Sequence, residues 1–219
     1  MSTDADGVEL LVAACGRIED WLQANAPASA ALLRPPAGGA DIAAAEAAMG
    51  VELPATLAAW YRIHDGVDEN RAPSGAVRIA GILPNARSVL PLDELVAEYR
   101  LHTRHWEHEA GVLPFARTAA DTWSGWHIDA RKDEPSYGNL GTWSADEGDN
   151  PYPYHSDGWP LPDWLTEIAA ALEQGRAVVL PDGTEETWTR PALDRGGLTW
   201  VEARDARLVG DAVVLDGPR

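Results

Sequence analysis

Apolar residues recur every three or four positions in five stretches of the chain, a spacing that gathers side chains on one face of an α-helix. The clearest stretch is LPATLAAWYRIHDG at residues 53–66. Its Pro54 suits the first position of a helix, and Gly66 suits the end, because glycine readily takes the left-handed conformation. Asp41 and Gly50 mark the start and end of a shorter helix in the same way. The predicted helices cover residues 6–26, 42–49, 53–66, 91–109 and 162–174.

Apolar and polar side chains alternate over residues 126–130, which read WHIDA. This period of two is typical of a strand that is buried on one face, so we expect His127 and Asp129 on the polar face. The β-branched content of residues 77–83 also predicts a strand. The turn-forming segment DEPSYG precedes the last strand and favours an antiparallel meander. The predicted strands of this part cover residues 77–83, 112–115, 126–130 and 140–144.

After Gly175 the pattern changes to short β segments separated by the turn signals PDG and GG. Helices, strands and a further helix follow one another without βαβ alternation, which predicts an α+β fold. We expect residues 1–175 to form one domain and residues 176–219 to form a β-rich extension packed on the same domain. The β segments of the extension are predicted at residues 177–180, 185–189, 198–203, 208–209 and 213–215.

Four segments occur in an order that resembles the SUKH superfamily. They are LPATLAAWYRIHDG at 53–66, VLPFAR at 112–117, WHIDAR at 126–131 and YGNLGTWSADEG at 137–148. The resemblance extends over residues 42–175. SUKH domains occur in yeast cell-wall assembly regulators and in many bacterial immunity proteins. The resemblance therefore implies several helices packed on a mostly antiparallel sheet, and a protein-binding module that in bacteria sits on a cognate toxin and blocks it.

The balance of charges narrows the class of partner. The chain has 35 acidic and 17 basic residues, a net charge of −18. Phosphate binding relies on basic side chains, so this excess argues against a nucleic acid partner. The same charge would speed encounter with a basic protein by electrostatic steering. Together with the resemblance, it indicates a basic, nuclease-type toxin bound by a monomer or weak dimer. The alternative is an acidic surface that serves solubility alone.

No segment of the sequence indicates export or membrane insertion. The N-terminus, MSTDADGVELL, lacks the basic and apolar regions of a signal peptide, and no run of about 18 apolar residues occurs. Cys15 is the only cysteine, so an internal disulfide is excluded and an oxidising compartment is not indicated. We therefore expect a cytoplasmic protein without a membrane partner.

Motifs of catalysis and cofactor binding are missing from the sequence. His102, His105 and His108 are spaced by three residues, whereas helical zinc pairs prefer a spacing of four, so we predict no metal site. There is no nucleophile elbow and no phosphate-binding glycine loop. We predict no catalytic residue and no cofactor. Two alternatives stay open: a hydrolase using carboxylates between Asp129 and Asp149, and a regulatory scaffold like the fungal relatives.

Aromatic residues flanked by acidic residues are concentrated between β-segments in the second half of the chain. Exposed aromatics supply desolvated contact area and charges steer association, so this combination suits a protein-binding surface. The alternative is a small aromatic core under a long loop. The predicted partner-binding residues are Trp123, Tyr137, Trp143, Asp146, Glu147, Asp149, Tyr152, Tyr154 and Asp157.

Overall fold

The chain forms α-helices and two antiparallel sheets, which confirms the α+β fold class. A computed structural model describes residues 4–74, 76–105, 109–119, 123–145, 158–181, 183, 185, 190–202 and 213–215. Within these residues the helices are α1 (Asp4–Asn25), α2 (Pro27–Ala30), α3 (Gly39–Met49), α4 (Ala55–Ile63), α5 (Leu92–His105) and α6 (Leu161–Gln174). The strands are β1 (Arg87–Val89), β2 (Val112–Thr118), β3 (Ser124–Asp129), β4 (Leu140–Ser144), β5 (Arg190–Asp194), β6 (Gly197–Val201) and β7 (Val213–Val214).

Helix α1 packs against α4 and α6 along its apolar stripe. Leu11, Ile18 and Leu22 are buried there, as the helical spacing predicts. At the rim, Arg17 Nε and Nη2 donate to the two carboxylate oxygens of Glu173 on α6, at 2.8 and 2.5 Å. None of the helices in the described part of the chain is both long and apolar enough to cross a bilayer.

Of the residues predicted to begin or end α3 and α4, Gly50 has its predicted role, whereas Asp41 and Gly66 have other roles. Gly50 ends α3 in the left-handed conformation, as predicted. Asp41 is not the first cap: it lies inside the first turn, and its carboxylate accepts the Gly38 N–H at 3.0 Å. Helix α4 ends at Ile63, so Gly66 does not close it. Gly66 instead passes so close to Leu90 that a Cβ would lie 2.6 Å from the backbone carbon of Leu90.

The first sheet has the order β1-β2-β3-β4, with every neighbouring pair antiparallel, so the predicted meander is confirmed. The expectation that β3 is buried on one face only is wrong. His127 and Asp129 are both fully buried: His127 packs against α5, and Asp129 is held by Arg131 and Ser136 of the turn that follows the strand. On one face Trp126 contacts Trp164 of α6, with ring centroids 4.7 Å apart. On the other face His127 contacts His102 of α5.

The strand predicted over residues 77–83 is not formed. A 3-10 turn at Val77–Ala80 and another at Pro84–Ala86 occupy this part of the chain. Ile79, Ala80 and Ile82 are all buried in the core. The β-branched residues here reflect burial in the core rather than strand pairing.

The second sheet has the order β6-β5-β7 and follows α6 in the chain. Arg195 and Gly196, both with positive φ, make the tight turn between β5 and β6. Strand β5 was missed because Pro191 lies within it and proline is rare inside strands. Ser29 of α2 fixes this hairpin to the helices, since its Oγ accepts the Leu198 N–H at 2.8 Å. The β segment predicted at 208–209 lies outside the described residues.

Candidate partner-binding surface

Three of the nine predicted partner-binding residues, Trp123, Tyr137 and Trp143, lie within the described part of the chain. The other six, Asp146, Glu147, Asp149, Tyr152, Tyr154 and Asp157, lie outside it. The three described residues occupy different environments: one is exposed, one is half-buried and one is in the core.

Trp123 is the exposed member, with 58% of its surface accessible to solvent. It directly precedes β3, and its carbonyl accepts the Ala145 N–H at 2.7 Å. Nearby, the Thr118 hydroxyl at the end of β2 lies 3.0 Å from the Ser124 hydroxyl at the start of β3. A large exposed indole is a suitable anchor for a protein partner, because it supplies aromatic area that loses its water on binding.

Trp143 is buried, with 1% of its surface accessible, so it is not part of an exposed surface in this structure. Its ring packs edge-on against His102, with centroids 4.6 Å apart, and is stacked on His127 at 5.9 Å. Gly125 makes room for the indole, because a Cβ at residue 125 would lie 2.4 Å from Trp143 Nε1. This residue fits the alternative that part of the aromatic cluster forms a core.

The contact between His102 and His127 was missed by the sequence reasoning. His127 Nε2 lies 3.3 Å from His102 Nδ1, and His102 Nε2 lies 3.4 Å from Glu98 Oε1. Both imidazoles are fully buried. The helical spacing could have predicted that His102 is buried, because it follows Tyr99 by three residues on the inward face of α5. No group of three metal-ligating side chains occurs among the described residues.

The turn between β3 and β4, which carries Tyr137, is built around the buried carboxylate of Asp129. Asp129 Oδ1 accepts from the backbone N–H and Nε of Arg131, both at 2.9 Å, and Oδ2 accepts from Arg131 Nη2 at 2.7 Å and from the Ser136 hydroxyl at 2.6 Å. Burial raises the pKa of Asp129, but these hydrogen bonds lower it by more, so the pKa lies below its usual range. Asp129 thus holds the turn as a carboxylate.

Tyr137 is half-buried on this turn, near the N-terminus of α1. Desolvation raises the pKa of its phenol; the carboxylates of Asp4 and Glu52 raise it further, while Lys132 lowers it. Lys132 and Glu52 form an exposed ion pair across a shallow hollow of about 370 Å³. Trp123 thus directly precedes β3, whereas Tyr137 lies between β3 and β4.

A comparison with protein-family models matches residues 36–171 to the SMI1/KNR4 family (SUKH-1). This match covers more than half of the chain. The chain belongs to the SMI1/KNR4 family. No curated protein gives a significant match to it. The resemblance predicted from the four sequence segments is confirmed, and the match includes the first sheet and α3 to α5.

Acidic residues dominate the charge of this SMI1/KNR4 protein. Acidic residues outnumber basic residues by 18 in the full sequence, so ion pairs within the chain cannot neutralise the net charge. In the part of the chain that the structure describes, the arginine and lysine side chains within 4.0 Å of carboxylates include Arg17, Arg34, Arg117, Arg131, Lys132, Arg176 and Arg195. These ion pairs engage basic side chains within the molecule, and the net negative charge remains.

Proposed function

We propose that this chain is a non-enzymatic protein-binding module, an immunity protein that binds a cognate toxin and neutralises it. The observation that carries the proposal is the match to the SMI1/KNR4 family over residues 36–171. Folds host many functions, so the choice of a toxin as the partner rests on the family resemblance and on the charge of the chain.

The net charge of −18 supports a basic partner. A nuclease-type toxin needs basic side chains to hold the phosphates of its substrate. Electrostatic steering accelerates the approach of an acidic protein to the basic substrate-binding site of such a toxin, and charge complementarity then holds the complex together. In this mechanism the immunity protein occupies the site of the nucleic acid, so the toxin is blocked without any chemical step.

Trp123 and the acidic residues that follow β4 form the proposed contact surface. Trp123 supplies exposed aromatic area at the end of the first sheet. Asp146, Glu147 and Asp149 supply the charges that steer association. We expect a complex of one immunity protein with one toxin molecule.

The test is affinity capture from the source lysate at low and at moderate salt, followed by kinetics with the captured partner. A basic partner recovered near one-to-one, and lost as salt rises, supports the proposal. Asp146→Lys, Glu147→Lys and Asp149→Lys together should slow association and weaken its dependence on salt.

The matched control places the same three charge reversals on exposed positions of α1 and α6, at Glu9, Asp20 and Asp163. Both triple variants have the same net charge, so a difference in association rate reports the location of the contact rather than overall charge. Equal rates for the two variants, or no partner under either salt condition, would contradict the proposal.

A further inference from the structure

An open groove of about 650 Å³ lies between α3 and α5, on a part of the molecule that the sequence reasoning did not assign to binding. Its α3 wall is formed by Ala44, Ala45 and Ala48, and its α5 wall by Leu92 and Val96. All five side chains are apolar, so these two walls present hydrocarbon to the groove.

The α3 wall is apolar, and two of its three residues lie outside the core of the protein. Ala45 is buried, while Ala44 and Ala48 are exposed to solvent in the groove. An amphipathic helix normally shows polar residues on the side that faces water. Because alanine has a small side chain, these positions leave space above the helix for larger apolar side chains from another molecule.

The groove is preformed by contacts at both ends. At one end, Arg100 Nη2 of α5 donates to the carbonyl of Ala48 at 3.0 Å. At the other end, the Ala37 N–H donates to the Tyr61 carbonyl at 2.8 Å, and the Arg34 N–H donates to the Gly66 carbonyl at 3.0 Å. Binding in a preformed groove loses little free energy to ordering of the protein.

Carboxylates outnumber basic groups at the edge of the groove. Asp41, Asp65 and Asp93 line it together with Arg34, which gives three negative charges against one positive charge. Arg34 Nη2 lies 2.9 Å from Asp65 Oδ2, while its Nη1 lies 3.9 Å from Asp93 Oδ1. The Asp93 side chain is 78% exposed and so remains accessible to an incoming cation.

We propose that this α3–α5 groove binds a short segment of a partner protein in which apolar side chains are flanked by Lys or Arg. The apolar walls take up the apolar side chains, and Asp41, Asp65 and Asp93 attract the basic residues. The inference rests on the proposed function as a protein-binding module, and it adds a binding site to that module. Anionic ligands are disfavoured by the carboxylates.

The test uses fluorescein-labelled synthetic peptides and fluorescence anisotropy with the full chain. The probe GKLLKG carries two leucines between lysines. GELLEG reverses the charges and GKSSKG removes the apolar side chains. We expect GKLLKG to bind, the two other peptides to bind at least about tenfold more weakly, and the affinity for GKLLKG to fall as salt rises.

Substitutions in α3 locate the binding. Ala44→Gln with Ala48→Gln places longer polar side chains in the groove and should weaken GKLLKG binding by about tenfold or more. The matched control is Ala43→Gln with Ala47→Gln, on exposed positions of the same helix that do not line the groove. Glutamine forms helix nearly as well as alanine, so both variants should keep the fold and the control should bind within about twofold of the original chain.

Equal binding of GKLLKG to both double variants, or no binding of GKLLKG to the original chain, would overturn the groove proposal. The outcome is separable from that of the toxin experiment. Groove-dependent peptide binding without any toxin partner would retain the groove and remove the immunity function. A toxin bound equally by both double variants, with peptides that do not bind, would retain the immunity function and remove the groove.

Discussion

Asp129 shows how a single buried carboxylate fixes a turn of this protein. Its side chain is fully buried, and both of its oxygens accept hydrogen bonds from Arg131. Ser136 donates to the same carboxylate from the far side of the turn. A charge that is buried with such partners contributes to stability as long as it stays ionised, because its hydrogen bonds replace those that water would make.

Asp129→Asn should therefore destabilise the protein. Asparagine keeps the shape of the side chain but loses the charge, and its amide nitrogen cannot accept a hydrogen bond. The hydrogen bonds to one side-chain position are therefore lost, and those to the remaining oxygen weaken. We expect the free energy of unfolding at pH 7 to fall by about 1.5–3 kcal/mol, measured by urea denaturation. Asp133→Asn, on an exposed residue of the same turn, is the control and should change stability by less than about 0.5 kcal/mol.

The difference between the original chain and Asp129→Asn should depend on pH. The folded-state pKa of Asp129 is lowered, so its contribution is complete above the unfolded-state pKa of about 3.9 and is lost as pH falls through the folded-state pKa. The difference in stability between the two proteins should thus begin to shrink below about pH 4 and disappear below the folded-state pKa. A difference that stays constant into this acidic range would show that Asp129 acts through shape rather than charge.

At the scale of the elements, the sequence predicted most helices and the central strands but not the burial of each face. Helix α1 begins and ends within two residues of its prediction, and β4 matches its predicted bounds. The period in β3 correctly indicated a strand. Its polar positions proved to be buried, because α5 supplies His102 opposite His127. Periodicity reports which side chains share a face, whereas the partner of that face is set by tertiary packing.

Gly125→Ala should disrupt the centre of the first sheet. A Cβ at this position would lie 2.0 Å from the Ala116 carbonyl oxygen and 2.4 Å from Trp143 Nε1. We expect the strands or the indole to shift, the free energy of unfolding to fall by about 2–3 kcal/mol, and the near-ultraviolet circular dichroism of the tryptophans to change.

Gly16→Ala is the control for this substitution. Gly16 lies inside α1, and a Cβ there would meet no atom within 4 Å. The change should stabilise the helix by about 0.5–1 kcal/mol, because alanine has the higher helix propensity. If both substitutions had the same effect, the close approach at Gly125 would not limit the packing of the sheet.

At the scale of the whole molecule, distant segments of the chain are joined by a few buried polar contacts. Ser29 Oγ donates to the Ile79 carbonyl at 2.6 Å and accepts from the Leu198 N–H at 2.8 Å. It thus connects α2, the 3-10 turn at Val77–Ala80 and the β5–β6 hairpin. The division of the chain into residues 1–175 and 176–219 stays a prediction.

Ser29→Ala should weaken this junction. The Ile79 carbonyl and the Leu198 N–H both lose their hydrogen-bond partner in a buried place, so we expect a loss of about 1–3 kcal/mol in the free energy of unfolding. Hydrogen exchange of the Leu198 amide should accelerate. Ser74→Ala, on an exposed serine, should leave both quantities unchanged. Unchanged exchange in Ser29→Ala would show that the hairpin is held by apolar packing alone.

The exposure of the candidate binding residues also depends on tertiary packing. The sequence indicated exposed aromatics, and Trp123 is exposed while Trp143 is buried. Trp123 directly precedes β3, and Trp143 lies within β4. The difference arises because α5 brings His102 against one side of β4, and no local pattern encodes which helix covers which strand.

The sequence by itself determined the α+β class, the antiparallel meander, most helix bounds and the family, because these depend on periodicity, turn residues and ordered motifs. Only the tertiary structure decided that β3 is covered on both faces, that residues 77–83 form a turn, and that α3 and α5 leave a groove between them. These features arise from contacts between residues far apart in the chain, and local spacing carries no record of such contacts.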